Sequence, residues 1–215
     1  PLLASLLPAQ RFPNGLSTAP TFFPIGVWLQ DPANAAAYRE LGINLYVGLY
    51  DGPRHGQLEQ LERAGMRVFC ERNPIAAAYR GPAIAGWLLP DEPDNAQGRR
   101  LRGYRPPLEP WRVATAYAAL HEQDGTRPVL LNLGQGVAWD GWHGRGERSG
   151  HAEDYPEYAK AGDVLSFDIY PVTHPHPDVR GRLEFTGRGV RRLLAHSDGK
   201  KPVWAVIATG HVDDA

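Results

Sequence analysis

The sequence predicts an α/β fold: a (β/α)8 TIM barrel, of which about seven β/α units lie within these 215 residues. Three observations carry that expectation. Short β-rich apolar runs alternate with amphipathic helical stretches, the pattern of a parallel sheet covered by helices. No G-x-G-x-x-G comes after the first run, which weighs against the doubly wound open sheet that the same alternation allows. Polar residues gather at the C-terminal ends of the runs, namely Asn73, Asp91, Glu92, Asn132, Asp168 and Tyr170. In a barrel those ends converge on one mouth, where sites are built.

Residues 22–30 (FFPIGVWLQ) form the first strand, and a helix from Pro32 to Leu41 is stopped by Gly42. Residues 43–50 (INLYVGLY) form the second, and after it come a helix over 57–64 and the stop Gly65. The third is 67–71 (RVFCE), and the fourth, 84–89 (IAGWLL), leads into Pro90-Asp91-Glu92-Pro93-Asp94. Residues 103–110 (GYRPPLEP) read as a βα loop, and a helix over 110–123 opens on a well-placed proline. The fifth strand, 129–133 (VLLNL), runs into a Gly/Trp-rich loop and a short helix near 156–160. The sixth is 164–170 (VLSFDIY), a basic helix lies near 187–196, and 203–207 (VWAVI) is the seventh. A barrel of this kind has ~250 residues, and seven strands would leave two open edges. The expectation is one barrel domain over 1–215 that continues past Ala215 with an eighth strand and helix.

Composition narrows the partners. Lys+Arg 23 against Asp+Glu 24 gives a net charge of -1, so there is no electrostatic pull toward nucleic acid or an anionic membrane. No apolar run approaches the ~20 residues of a membrane span. A neutral polymer such as a polysaccharide fits this balance, and the 6 Trp and 9 Tyr offer flat rings that stack on sugars or fill cores. Cys70 is a single cysteine in an apolar stretch and reads as a buried small hydrophobe. The opening PLLASLLPAQRF has no basic n-region and no initiator Met, and reads as the start of a chain after signal-peptide cleavage or as an arbitrary edge. A secreted or periplasmic location is preferred to a cytoplasmic one.

The candidate chemistry centres on Asp91-Glu92-Pro93. Cleaving an acetal needs a protonated carboxyl beside the leaving oxygen and a second carboxylate on the other face of the sugar. Glu92 has the reach for the first task, and Asp91 beside it can bind a hydroxyl or raise the Glu92 pKa by like-charge proximity. The bland alternative is a solvated acidic turn. Alternation puts Asp168 and Tyr170 on one side of the sixth strand, where the tyrosine can support a carboxylate or a substrate hydroxyl. The bland alternative for Asp168 is structural pairing with an Arg or Asn. Asn132 leads into residues 134–146 (GQGVAWDGWHGRG), whose Trp139 and Trp142 line a sugar subsite or simply pack on the rim. That loop lacks the Lys-Ser/Thr of a phosphate cradle, and no G-x-S-x-G elbow is present. His174 and His176 lack a fitting third ligand nearby, so neither a metal nor another cofactor is expected.

The segments FFPIGVWLQDP, LGINLYVGLYDGP, GWLLPDEPDN, RPVLLNLGQGVAWDGWHGRG, EDYPEYAKAGDVLSFDIYPV and KPVWAVIATGH together resemble bacterial glycoside hydrolase-like TIM-barrel proteins. These are related to the retaining clan whose acid/base lies after strand four and whose nucleophile lies after strand seven. The resemblance implies Glu92 as the acid/base and Tyr170 as the strand-six tyrosine that supports the nucleophile. It departs at Asp91, where the clan usually has Asn, and at Ala208, where similar proteins carry Glu. An alanine there is either an inactivating Glu→Ala substitution or a site without the usual nucleophile, with Asp168 or Glu71 as substitutes. The expected function is therefore hydrolysis of a β-linked poly- or oligosaccharide, with Asp91, Asn132, Trp139, Trp142, Asp168, Tyr170 and Trp204 contacting substrate. The alternatives are a non-catalytic carbohydrate-binding protein on the same barrel and a lyase or metal-dependent hydrolase.

Overall fold

The computed structural model describes residues 12–98, 103–142 and 150–209. The opening segment 1–11, residues 143–146 of the Gly/Trp-rich loop and residues 210–215 lie outside the described residues. Among those described are strands β1 (Gly26–Trp28), β2 (Leu45–Val47), β3 (Arg67–Cys70), β4 (Ile84–Leu88), β5 (Gln97–Gly98), β6 (Tyr104–Arg105), β7 (Val129–Leu133), β8 (Val164–Asp168) and β9 (Val203–Val206). The helices are α1 (Ala35–Glu40), α2 (His55–Arg63), α3 (Pro74–Ala78), α4 (Pro110–Gln123), α5 (Tyr155–Tyr158) and α6 (Glu184–His196). The hydrogen-bonded order of the seven-stranded sheet is β1-β2-β3-β4-β7-β8-β9. The pairs β1–β2, β2–β3, β3–β4, β4–β7 and β8–β9 are parallel. The strands keep chain order with no reversal, whereas a doubly wound sheet needs a switch point. The fold is thus α/β with a parallel sheet in chain order, without the switch point of a doubly wound sheet. Among the described residues no helix is long and apolar enough to cross a membrane.

The chain divides into two compact units. The first comprises residues 1–88 and 119–130 and holds β1 to β4, α1 to α3 and the beginning of β7. Its core is Leu45, Tyr46, Leu58, Leu61, Met66, Val68, Phe69, Ile84 and Leu130, all buried. Side chains of this size each contribute about 1.5–3 kcal/mol when removed from water. Cys70 is buried there as expected, and burial pushes its thiol up to about 12. Local chemistry sets the helix ends. Asp31 Oδ1 accepts from the Ala33 N–H (2.9 Å) ahead of α1, and Gly42 takes φ 86° just after it. Gln57 Oε1 accepts from the Arg54 N–H (3.0 Å), closing the first turn of α2, and Gly65 stops it at φ 64°.

Asn73 has a different job from the one its place after β3 suggests. Its Oδ1 accepts from the Ala76 N–H (2.9 Å), so it caps α3, a helix the sequence pattern does not announce. The run over 22–30 pairs only across Gly26–Trp28, because Phe23 and Ile25 before it are exposed. Trp87 is anchored through its Nε1–H to Asp124 Oδ2 (3.2 Å).

The second unit comprises residues 89–118 and 131–215. Here the stretch read as a βα loop is partly a strand. Tyr104–Arg105 pairs antiparallel with Gln97–Gly98, a two-residue ladder too short to show as alternation. Helix α6 starts at Glu184, three residues before the basic stretch. It packs Gly189 against the Phe167 ring so closely that an added Cβ would run into it. Val164, Leu165, Phe167, Ile169, Phe185 and Leu193 are buried in this unit. Arg192 Nη1 pairs with Asp140 Oδ1 (2.8 Å), tying the loop after β7 to α6.

Candidate functional site

All the residues of the acidic constellation belong to the second unit. The loop after β4 turns at Glu92, whose φ of 40° lies in the left-handed region that non-glycine residues rarely adopt. The Asn95 N–H (2.9 Å) and Gln97 Nε2 (3.2 Å) both donate to the Glu92 carbonyl, which holds the turn. The Glu92 side chain is half-buried, and its Oε2 accepts from Asn95 Nδ2 (2.9 Å). Backbone strain of this kind costs about 1–3 kcal/mol and is often found where a side chain must be presented.

β7 and β8 supply the polar bridge. Asn132 is fully buried. Its Nδ2 donates to Asp91 Oδ1 (2.8 Å) and to Asp168 Oδ1 (2.7 Å), while its Oδ1 accepts from Ser166 Oγ (2.7 Å). Tyr170 donates its hydroxyl to Asp168 Oδ2 (2.8 Å), so both oxygens of that carboxylate are held. Ser166 and Asp168 share a face by the two-residue period of the strand. Asp94 completes the group: its Oδ1 accepts from the Gly134 N–H (2.8 Å) and its Oδ2 from the Tyr155 hydroxyl (2.9 Å). A Cβ placed on Gly134 would lie 3.1 Å from Glu92 Oε1 and 3.4 Å from Asp94 Oδ2, so both carboxylates border that glycine.

Crowding of like charges away from water shifts these groups. Asp168 is raised to about 7, first by desolvation and then by repulsion from Glu92, against the stabilising bonds from Tyr170 and Asn132. Asp94 is raised to about 6, again chiefly by desolvation. Asp91 is raised by desolvation although it reaches solvent, with the Asn132 bond opposing. The Tyr155 and Tyr170 hydroxyls are pushed far up by burial and by the carboxylates they serve, so both act as donors.

The structure therefore brings Asp91, Glu92, Asn132, Asp168 and Tyr170 together. Asp168 is paired with an Asn, as its bland alternative expected, and it also faces the charge of Glu92. Trp204 pairs in register with Ser166, and Val206 with Asp168. Paired residues of a parallel ladder project to the same face, so Trp204 lies on the Asp168 side of the sheet. Ala208 comes after β9 and is half-buried. Trp139 and Trp142 form a separate cluster. Trp139 is buried against Trp142 (6.0 Å between ring centres), His174 (5.5 Å) and His176 (4.9 Å). Together with Asp94, Tyr155 and others, the two indoles line a cavity of about 90 Å³.

His174 is committed to hydrogen bonds. Its Nδ1 accepts from the His176 N–H (3.0 Å), which leaves Nε2–H to donate to Gln135 Oε1 (2.7 Å), and desolvation lowers its pKa. Among the described residues no group of three His, Cys, Asp or Glu is placed to hold a metal ion. Sequence reasoning missed Asp94, Asn95, Tyr155 and Ser166 as members of the site. Asp94 stands in the same acidic turn and Ser166 one strand period before Asp168, so both had a local signal; Tyr155 had none.

No family profile matches the chain. No curated protein sequence matches it either. Solved structures do. A GH2 β-galacturonidase from Eisenbergiella tayi bound to galacturonate has a TM-score of 0.56 at 16% identity, over 89% of this chain and 36% of that one. A Bacteroides uniformis β-glucuronidase has 0.51 at 13%, over 84% and 24%. A Bifidobacterium dentium β-glucuronidase complexed with coumarin-3-O-glucuronide has 0.50 at 14%, over 86% and 30%. The chain thus spans about a quarter to a third of the length of these enzymes. At such identities the likeness is one of fold, and the fold is shared with glycoside hydrolases.

Proposed function

We propose that the protein is a glycoside hydrolase acting on a β-linked poly- or oligosaccharide, with its seven-stranded sheet as part of a (β/α)8 barrel and Glu92 as the acid/base. The observation that carries this reading is the setting of Glu92. It stands after the fourth strand on a left-handed backbone, is half-buried, and shares its surroundings with a second carboxyl group, Asp168, whose pKa it raises. Two carboxyl groups at one site are the equipment that acetal cleavage needs. Glu92 protonates the leaving oxygen, Asp91, Tyr170 and Trp204 surround the sugar, and Asn132 bridges Asp91 and Asp168. Trp139 and Trp142 line the neighbouring cavity as a platform for a further unit.

The test is turnover of methyl β-glycosides, whose alkoxide leaving group needs a proton, including the glucuronide and galacturonide that the fold neighbours suggest. Glu92→Gln is expected to lose about 10²–10⁴-fold in kcat, the usual worth of a general acid, while still binding the glycoside. Equal turnover by Glu92→Gln and the native protein would reject the assignment. Ala208 favours a second reading, a non-catalytic carbohydrate-binding protein on the same scaffold, since alanine supplies no carboxylate after the seventh strand. That reading predicts binding without turnover in the native protein.

A further inference from the structure

We propose that Asp168 is the general base of a single-displacement hydrolysis, acting on a water molecule seated in the space that Ala208 leaves open. The inference rests on the glycosidase reading above and assigns the second carboxylate within it. Asp168 is fixed at both oxygens, by Asn132 Nδ2 (2.7 Å) and the Tyr170 hydroxyl (2.8 Å), and Asn132 is itself fixed by Ser166. A carboxylate held this way keeps a lone pair on a set line, as a base requires.

Asp168 pairs in register with Val206, the last residue of β9, and Ala208, two residues further on, ends at Cβ. A separation of ~6.5–9.5 Å between the two carboxyl groups leaves room for a water between them, whereas ~5–5.5 Å belongs to an acid and a nucleophile.

In the step, an Asp168 oxygen takes a proton from water as the water oxygen bonds to the anomeric carbon. The glycosidic C–O bond breaks, its electron pair goes to the leaving oxygen, and that oxygen takes the proton of Glu92. Asp168 ends protonated and Glu92 ionised, and proton exchange with solvent restores both.

The experiment monitors hydrolysis of 4-nitrophenyl β-D-glucoside, galactoside, mannoside, xyloside, glucuronide and galacturonide by proton NMR. The native protein is expected to release the α-hemiacetal first. Asp168→Ala is expected to lose about 10²–10⁴-fold in kcat and to regain rate in sodium azide with α-glycosyl azide as product. Asp168→Asn, which keeps the shape, is expected to lose as much without rescue. A β-hemiacetal as first product, full activity in Asp168→Ala, or no azide effect on it overturns the assignment. A silent native protein with an active Ala208→Glu variant overturns Asp168 as base but leaves the glycosidase reading standing. Silence of both overturns the two together.

Discussion

Asn132 gives its two amide hydrogens to two different carboxylates, Asp91 (2.8 Å) and Asp168 (2.7 Å), from a fully buried position at the end of β7. Its carbonyl takes the Ser166 hydroxyl, so the side chain is spent entirely within the cluster. Replacing it with the similarly sized Leu would leave each of those groups without its donor or acceptor. Each such loss costs about 1–3 kcal/mol. Asn132→Leu is therefore expected to lower the urea midpoint by at least one such increment at unchanged m-value, and a midpoint equal to native would mean the bridge contributes nothing.

Glu92 carries strain that a glycine would relieve. Its φ of 40° costs a side-chain-bearing residue about 1–2 kcal/mol, and its charge adds to the repulsion on Asp168. Against these stands its bond from Asn95 (2.9 Å). Glu92→Gly is expected to gain up to about 1 kcal/mol in stability while losing turnover, the signature of a residue kept for function. Loss of stability in a chemical-denaturation curve would contradict this.

Stability should fall as pH rises across the titration of Asp168. The ordinary aspartate value is 3.8 and the folded value about 7. Between about pH 4 and 7 the folded protein therefore holds a proton that the unfolded chain has released, and the slope of unfolding free energy against pH is negative. Asp94, raised to about 6, adds the same sign over a narrower window. Asp168→Asn is expected to raise Tm at pH 8 by about 2–4 °C, the shift for ~1 kcal/mol in a protein of this size, with little change at pH 4.5. Equal shifts at both pH values would count against a proton held by Asp168.

Trp142 presents a different imbalance. Its indole N–H is buried without a partner among the described residues, so Trp142→Phe removes an unpaired donor while keeping most of the ring. Stability is expected to hold within about 0.5 kcal/mol or to rise. A loss of more than about 1 kcal/mol by thermal or urea unfolding would show that the nitrogen is engaged.

The strand–helix alternation, the stops at Gly42 and Gly65, and the nearness of Asp168 and Tyr170 were legible because neighbours within one helical turn or one strand period determine them. Glu92 was legible for the same reason, standing in an acidic turn after an apolar strand. The partners were not. Asn132 meets Asp168 across 36 residues, and Asp94 meets Tyr155 across 61. Such meetings depend on strand register and loop closure, which leave no periodic trace in the chain. Trp139 was expected to line a sugar subsite or to pack on the rim, and its burial against His174 and His176 depends on how a long loop folds back. The order of residues thus set the elements and the acidic turn, while the three-dimensional packing chose which carboxylates are driven to hold a proton, because desolvation and Coulomb repulsion act through space rather than along the chain.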